Sequence, residues 1–216
     1  MTPMRVRYQT IEFGDLDIHL RTLRDRQQFL DVDGAAEKLG ISSALWPLFG
    51  VVWDSSEVLA HHMLDYQIGG KRILEVGCGI ALASLVLNHR QADITATDYH
   101  PEAENFLAEN VLLNEGNKIP FVRTAWEDAE SDLGEFDLLI GSDLLYERAH
   151  AELLSGFINQ HAKTHCEVVL VDPGRGNHAR FSKQMVSLGY THRQDKPENS
   201  DYLSRPFRGQ ILSYSR

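Results

Sequence analysis

The sequence has few cysteines, no long apolar run and no surplus of basic residues, and each shortage excludes a class of protein. Only two of its 216 residues are cysteines, Cys78 and Cys166, which argues against a disulfide-bonded secreted fold. No apolar run reaches the roughly 20 residues of a membrane-spanning helix. The segment Met1–Gln9 lacks the apolar stretch of a signal peptide. We therefore predict a cytoplasmic protein with no membrane partner.

Charge and length narrow the class further. The 31 acidic residues outnumber the 21 basic residues, for a net charge of −10. Because nucleic-acid-binding proteins usually carry a basic patch, this balance predicts no nucleic-acid partner. The histidines lack companion ligands at metal-binding spacing, which predicts no metal site. We expect one domain, 1–216, with an N-terminal extension at 1–33 and a core at 41–216.

The N-terminal extension has the pattern of a small β-hairpin. Polar and apolar residues alternate on both sides of a turn at Gly14-Asp15. After an aromatic stretch, either Asp54 or Ser55 is expected to cap a helix that runs to about Tyr66. The extension is therefore predicted to differ in class from the segment that follows it.

From residue 72 onward, predicted strands and helices alternate as they do around a parallel sheet. The chain then ends in two extended segments with no helix between them, which predicts an antiparallel closing hairpin. The fold class is therefore α/β, a doubly wound sheet of seven strands, mostly parallel with an antiparallel last strand. The predicted strands are Arg72–Val76, Asp93–Thr97, Ile119–Arg123, Phe136–Gly141, Glu167–Asp172, Tyr190–Asp195 and Phe207–Ser215, and the predicted helices are Ala81–His89, Pro101–Asn114, Tyr146–His161 and Asn177–Leu188.

A glycine turn follows the first predicted strand of this sheet. Backbone N–H groups in such a turn, at the start of a helix, can approach a nucleotide closely. A dinucleotide site needs a small third residue in G-x-G-x-x-G/A, and Leu82 is bulky there, which disfavours an oxidoreductase. The series Glu75, Gly77, Gly79 and Ala81 instead resembles the first motif of class I S-adenosylmethionine-dependent methyltransferases, with Ala81 in place of the usual third glycine.

Two residues at later strand ends could complete a nucleotide site. Asp98 lies about 20 residues beyond the glycines, where a carboxylate can accept hydrogen bonds from both ribose hydroxyls. It could instead cap the helix that follows. Trp126 follows the third predicted strand, where it could form a flat wall against adenine or simply pack in the core.

The run Asp143-Leu144-Leu145-Tyr146 follows the fourth predicted strand. The resemblance to class I methyltransferases implies that this strand end borders the transferable methyl group. The run lacks the two prolines of the N/D-P-P-Y/F/W pattern of nucleobase-amino methyltransferases. Its acid-x-x-aromatic pattern resembles methyltransferase family 16, a family of small protein-lysine methyltransferases. A helix cap at Asp143 followed by a packed aromatic is the purely structural alternative. Further matches are Val52-Trp53-Asp54, Glu75–Ala81, Asn110–Asn114 and Asp172-Pro173-Gly174-Arg175, so the resemblance covers roughly Trp46–Gly189.

The resemblance implies a Rossmann-like fold, S-adenosyl-L-methionine as cofactor and methyl transfer to a nitrogen, with a protein lysine as the expected acceptor. A small-molecule acceptor and a non-catalytic cofactor-binding module stay open, and the oligomeric state is not specified. Arg175 could pair with Asp143 or with a substrate carboxylate, or it could be a plain turn arginine. The implied catalytic residues are Asp143 and Tyr146, and the implied cofactor-binding residues are Trp53, Glu75, Gly77, Gly79, Asp98, Trp126 and Ser142.

Overall fold

The N-terminal extension forms a separate two-stranded sheet in the computed structural model, which describes residues 4–128 and 132–216. Strand β1 (Val6–Phe13) pairs antiparallel with β2 (Leu16–Leu23). Gly14 takes a φ of +67° in the turn, a conformation that glycine adopts without steric cost. The predicted hairpin is confirmed. Residues 1–3 of the predicted extension lie outside the described part of the chain.

Three helical segments connect the hairpin to the main sheet. They are α1 (Ala35–Lys38), a 3-10 helix (Trp46–Gly50) and α2 (Asp54–Asp65). The expected cap of α2 at Asp54 or Ser55 is wrong, because the helix is capped at Trp53. There the Ser56 hydroxyl accepts a hydrogen bond from the Trp53 backbone N–H and donates one to the Trp53 carbonyl.

The main sheet has seven strands in the order β5-β4-β3-β6-β7-β9-β8. All neighbours are parallel except at β9, which pairs antiparallel with both β7 and β8. The predicted fold class is therefore confirmed. The elements of this part are β3 (Arg72–Val76), α3 (Leu82–His89), β4 (Asp93–Asp98), α4 (Ala103–Leu113), β5 (Phe121–Arg123), β6 (Phe136–Ser142), α5 (His150–His161), β7 (Ala162–Asp172), α6 (His178–Ser187), β8 (Thr191–Asp195) and β9 (Gln210–Ser215).

The strand order reverses next to β3. From β3 the chain moves outward through β4 and β5, and it then returns to place β6 on the other side of β3. In open α/β sheets the crevice at such a reversal, beyond the carboxyl ends of the strands, is where ligands bind. The topology therefore predicts a ligand site beyond the carboxyl ends of β3 and its neighbours β4 and β6.

The two faces of the sheet build two hydrophobic cores. Successive side chains of a strand point to opposite faces, so Ile73 of β3 packs into one core and Leu74 into the other. The first core contains buried residues of the hairpin, α2, α3 and α4, and the second contains those of α5 and α6. Both faces of the parallel strands are covered, which explains their nearly continuous apolar sequences.

The hairpin is attached to α4 by two asparagines. The Asn110 Oδ1 accepts from the Arg21 backbone N–H at 2.7 Å, and the Asn114 Oδ1 accepts from the His19 N–H at 2.8 Å. The Asn114 Nδ2 also donates to the His19 carbonyl at 2.7 Å. These side chains satisfy the free edge of β2 as a neighbouring strand would, so the hairpin is an integral part of the molecule.

Several boundaries differ from those predicted. Helix α5 begins at His150 and not at Tyr146, and residues 143–149 form an irregular stretch of bends and turns. Helix α4 begins at Ala103 and not at Pro101, which lies in a turn. Strand β5 begins at Phe121, two residues later than expected. Within the described residues, no helix combines the length and apolar character needed to cross a membrane.

Candidate active site

A cavity of about 880 Å³ opens beyond the carboxyl ends of β3, β4 and β6, at the reversal of strand order. Eight of the nine predicted site residues line it, and Glu75 does not. The structure therefore brings together residues that are as far apart in sequence as Trp53 and Tyr146. The eight are Trp53, Gly77, Gly79, Asp98, Trp126, Ser142, Asp143 and Tyr146.

The glycine turn after β3 takes left-handed backbone conformations. Gly77 has a φ of +60°, Gly79 of +55° and Ala81 of +61°. A Cβ on Gly79 would lie 2.8 Å from the Phe49 carbonyl oxygen, which side chains do not tolerate. Ala81 holds a conformation that costs an L-residue about 1–2 kcal/mol. The substitution of the third glycine is therefore accommodated at the cost of local strain.

Glu75 lies beneath the turn and not on the cavity wall. It is 3% exposed, and its carboxylate accepts hydrogen bonds from the Ser84 backbone N–H at 2.9 Å and from the Ser84 hydroxyl. Burial raises the pKa of Glu75 to about 7, although the bonds from Ser84 oppose this shift. The resemblance to class I methyltransferases implies that this acid either orders the loop or meets the ammonium group of the cofactor. The placement of Glu75 fits the first role, and contact with the cofactor stays a prediction.

Asp98 is positioned to hold the turn and to face the cavity. One carboxylate oxygen accepts from the Gly79 N–H at 2.8 Å and the other from the His100 N–H at 2.8 Å. Burial raises the pKa of Asp98, while these backbone hydrogen bonds lower it. The alternative in which Asp98 caps α4 is wrong, because that helix is capped at Glu102. Contact with a ribose stays a prediction.

The far end of the cavity carries a row of aromatic rings. The His150 ring lies edge-on to Trp126 at 5.1 Å and to Tyr146 at 4.4 Å between centroids. Its Nδ1 bonds the Leu144 carbonyl oxygen at 2.9 Å, which fixes the ring. Sequence reasoning missed His150, although its spacing of four residues from Tyr146 was a signal. Trp126 lines the cavity and also packs against the second core, so its contact with adenine stays a prediction.

Asp143 forms a charged pair at the same end. Its φ is +55°, uncommon for a residue with a side chain, and its N–H donates to the Val171 carbonyl at 2.9 Å. The Arg175 Nε and Nη2 donate to its two carboxylate oxygens at 2.6 and 2.8 Å. Of the two partners predicted for Arg175, the structure selects Asp143. The helix-cap alternative for Asp143 is wrong, since α5 begins seven residues later.

Leu144 packs the loop that follows β6 against the glycine turn. A Cβ on Gly77 would lie 2.6 Å from the Leu144 Cδ2, and one on Gly141 would lie 2.6 Å from its Cδ1. Leu144 therefore fills the space left by two glycines. This contact places Ser142 and Asp143 next to the glycine turn in the wall of the cavity.

The remaining wall comes from residues 39–53. The Trp53 indole Nε1 donates to the Leu48 carbonyl at 2.9 Å, and the Arg26 guanidinium lies 4.4 Å from the ring centroid. At the other end of this wall, the Tyr99 hydroxyl donates to the Leu39 carbonyl at 2.7 Å. The wall is thereby attached to the strand end that carries Asp98.

His100 is a further cavity residue that sequence reasoning missed. Its ring stacks on Phe49 at 3.9 Å between centroids, and Trp46 meets it edge-on. Burial lowers the pKa of His100 to about 4. The imidazole is therefore neutral at physiological pH and acts as an aromatic packing surface between the turn and the wall.

Sequence comparison relates the chain to proteins of known activity. Residues 42–186 match the profile of a family described as lysine methyltransferase. The chain is 29% identical over 150 residues to the electron transfer flavoprotein beta subunit lysine methyltransferase of Xenopus laevis, covering 66% of the chain and 59% of that protein. It is 27% identical over 150 residues to the calmodulin-lysine N-methyltransferase of Arabidopsis thaliana, covering 63% of the chain and 49% of that protein. The alignments thus span only about half to three fifths of these relatives.

Comparison of the folds agrees. The chain superimposes on magnesium protoporphyrin IX methyltransferase from Synechocystis PCC 6803, solved with bound S-adenosylmethionine, with a TM-score of 0.58. The identity is 19%, and the match covers 74% of this chain and 77% of that one. At this identity the likeness concerns the fold alone, and it confirms the Rossmann-like architecture.

Proposed function

Because the chain belongs to the lysine methyltransferase family, we propose that it transfers a methyl group from S-adenosylmethionine to a lysine of a protein partner. The observation that supports this most directly is the composition of one cavity. A glycine turn and Asp98 form its nucleotide end, and Asp143 and Tyr146 form its other end. A donor and an acceptor nitrogen can therefore meet inside it.

The residues present suit the donor. The turn at Gly77 and Gly79 lines the cavity with backbone, and Asp98 lines it beside the turn. The flat face of Trp126 supplies an apolar surface for a purine. When bound, S-adenosylmethionine would supply an electrophilic methyl group on its sulfonium. The lone pair of the acceptor nitrogen would form the new bond to that carbon while the carbon–sulfur bond breaks and S-adenosylhomocysteine leaves.

The acceptor end suits a lysine side chain. An ammonium with an ordinary pKa near 10.4 must lose its proton to solvent before the nitrogen can attack. Desolvation beside Trp53, Trp126 and Tyr146 favours the neutral amine. Burial also raises the pKa of the Tyr146 phenol, so its hydroxyl stays neutral and can donate or accept a hydrogen bond. The protein's main contribution is therefore alignment of the reacting atoms.

The openness of the acceptor end favours a protein over a small molecule. Tyr146 is 47% exposed, and the side chain of Glu147 beside it is 60% exposed. Glu127 on the same rim is exposed as well. A long side chain presented by a folded partner can enter such an opening, and the acidic rim complements the positive charge of a lysine-bearing surface.

The relatives suggest the first acceptors to test. The frog and plant proteins are named for lysine methylation of electron transfer flavoprotein beta subunit and of calmodulin. We propose that the acceptor of this chain is likewise a protein lysine and that this protein acts in the cytoplasm. Cys78 and Cys166 are buried free thiols, a state that fits a reducing compartment.

Transfer of a labelled methyl group into a lysate tests the proposal. Purified protein, labelled S-adenosylmethionine and a matched lysate are expected to label a discrete protein band, with the modified lysine identified by mass spectrometry. Asp143→Ala is expected to abolish the band, whereas Glu104→Ala on the exposed face of α4 is expected to retain it. Labelling only of small molecules would favour a metabolite acceptor, and cofactor binding without any labelling would favour a non-catalytic module.

A further inference from the structure

We propose that Arg175 is a positioning residue for the acceptor, because its bidentate pairing neutralises the Asp143 carboxylate that would otherwise hold the incoming lysine as an unreactive ammonium. The inference rests on the proposed function and concerns the same site. It resolves a conflict within that site, since a bare carboxylate next to the acceptor nitrogen would bind the amine and at the same time oppose its deprotonation.

The geometry of the pair supports this role. Both nitrogens of the Arg175 fork, Nε and Nη2, donate to separate oxygens of Asp143 at 2.6 and 2.8 Å. Parallel bonds of this kind are the strong form of the arginine–carboxylate contact. The Asp143 side chain is 12% exposed and that of Arg175 is 43% exposed. The carboxylate is therefore enclosed while its partner reaches it from the solvent side.

The loop that carries Arg175 is built to present it. The buried carboxylate of Asp172, at the end of β7, accepts from the Gly174 N–H at 3.0 Å. Gly174 and Gly176 take φ values of +95° and +90°, which turn the chain sharply on either side of the arginine. Arg175 thus projects from a turn that a second carboxylate holds in place.

The charged groups around this pair include three further carboxylates, and Arg175 is the cation bonded to Asp143. Asp172 of β7, with the His178 Nδ1 of α6 at 3.6 Å from it, lies behind the pair. Tyr146 and Glu147 approach from the loop before α5, with His150 of that helix beside Glu147. Asp98 of β4 acts on Tyr146 from the nucleotide end. Apart from His178 and His150, these groups are acidic or neutral, so the loss of Arg175 would leave the acceptor end strongly negative.

Kinetics across pH tests the proposal, with the acceptor protein identified from the labelled band. In Arg175→Gln the carboxylate loses its cation, so the bound amine should keep its proton to a higher pH. We expect kcat at pH 7.5 to fall about tenfold, KM to stay equal or decrease, and the midpoint of the kcat profile to rise by about one pH unit. Arg175→Lys should keep the wild-type midpoint, and the double variant Asp143→Asn with Arg175→Gln should return to it.

The outcomes separate the two proposals. A wild-type protein that labels no lysate protein overturns both. Wild-type labelling together with an Arg175→Gln midpoint at the wild-type value, or with kcat reduced equally at every pH, overturns the role of Arg175 and leaves the proposed function standing. Thermal unfolding of each variant with and without S-adenosylhomocysteine identifies a variant that fails to fold. In that event the Arg175→Lys and double-variant midpoints decide, and a raised midpoint in either overturns the role.

Discussion

The Phe49 carbonyl oxygen lies so close to Gly79 that it leaves no room for a side chain there. The separation from an ideal Cβ would be 2.8 Å, and Gly79 also has a φ of +55°. The backbone at Phe49 and the turn at Gly79 therefore pack directly against each other. The wall formed by residues 39–53 can approach the glycine turn this closely only because Gly79 has no side chain.

Substitution of Gly79 tests this relationship. Gly79→Ala is expected to lower the free energy of unfolding by about 2 kcal/mol or more, because the left-handed backbone and the backbone contact both oppose a Cβ. Gly156→Ala is the matched control, since Gly156 is exposed in α5 with open space around it. That change is expected to stabilise by about 0.5–1 kcal/mol. Urea unfolding measures both, and equal effects would contradict the steric argument.

Loss of the asparagine bridge to the hairpin should destabilise it. Asn114→Ala removes the bonds to the His19 N–H and carbonyl, and we expect a loss of about 1–3 kcal/mol in the free energy of unfolding. The His19 amide should also exchange its hydrogen faster. Glu109→Ala, at an exposed position of the same helix, is expected to change neither quantity. Unchanged exchange at His19 in the Asn114 variant would show that the hairpin is held by other contacts.

The buried Glu75 predicts a specific pH dependence of stability. Burial raises its pKa from 4.5 to about 7, so the folded protein retains a proton that the unfolded chain releases. The contribution of Glu75 to the free energy of unfolding is therefore fully present below about pH 4.5, and it is lost as the pH rises to about 7. Glu75→Gln, which does not titrate, should therefore gain up to roughly 3 kcal/mol relative to the wild type between pH 4.5 and 7.5.

Denaturant unfolding without cofactor measures this difference at each pH. His100, whose pKa burial lowers to about 4, contributes in the opposite direction but is common to both proteins and cancels. The control is Glu109→Gln, an exposed acid changed to its amide, which should follow the wild type throughout. Parallel curves for the wild type and Glu75→Gln would mean that Glu75 is ionised in the folded protein.

Asp98 is expected to be the residue most important for cofactor affinity. Asp98→Ala removes the acceptor of the Gly79 and His100 N–H groups together with the carboxylate facing the cavity. We expect S-adenosylhomocysteine to bind about 10 to 100 times more weakly, measured by calorimetry. Asp93→Ala, at the exposed opposite end of β4, is the control and should bind as the wild type does. Binding of NAD by the wild type in preference to S-adenosylhomocysteine would refute the cofactor assignment.

Local sequence patterns determined the sheet and the glycine turn at one end of the cavity. Apolar runs, alternation and glycines act over a few residues, so β3, its turn and the position of Asp98 at the end of β4 followed directly from residue order. Short-range patterns also gave the closing antiparallel strands. What they could not give is the course of a loop that is shaped by distant partners. In the loop before α5, which starts at His150, Leu144 packs against Gly77, a residue distant in sequence.

The acceptor end was decided by tertiary structure. Its residues were visible in the sequence, but the pairing of Asp143 with Arg175, and not with a substrate, depends on β6 and β7 ending side by side. The direction of Glu75 away from the cavity and the insertion of His150 between two aromatic rings likewise depend on packing. Steric and periodic rules are local, whereas charge pairing and side-chain packing are properties of residues that only the folded chain makes neighbours.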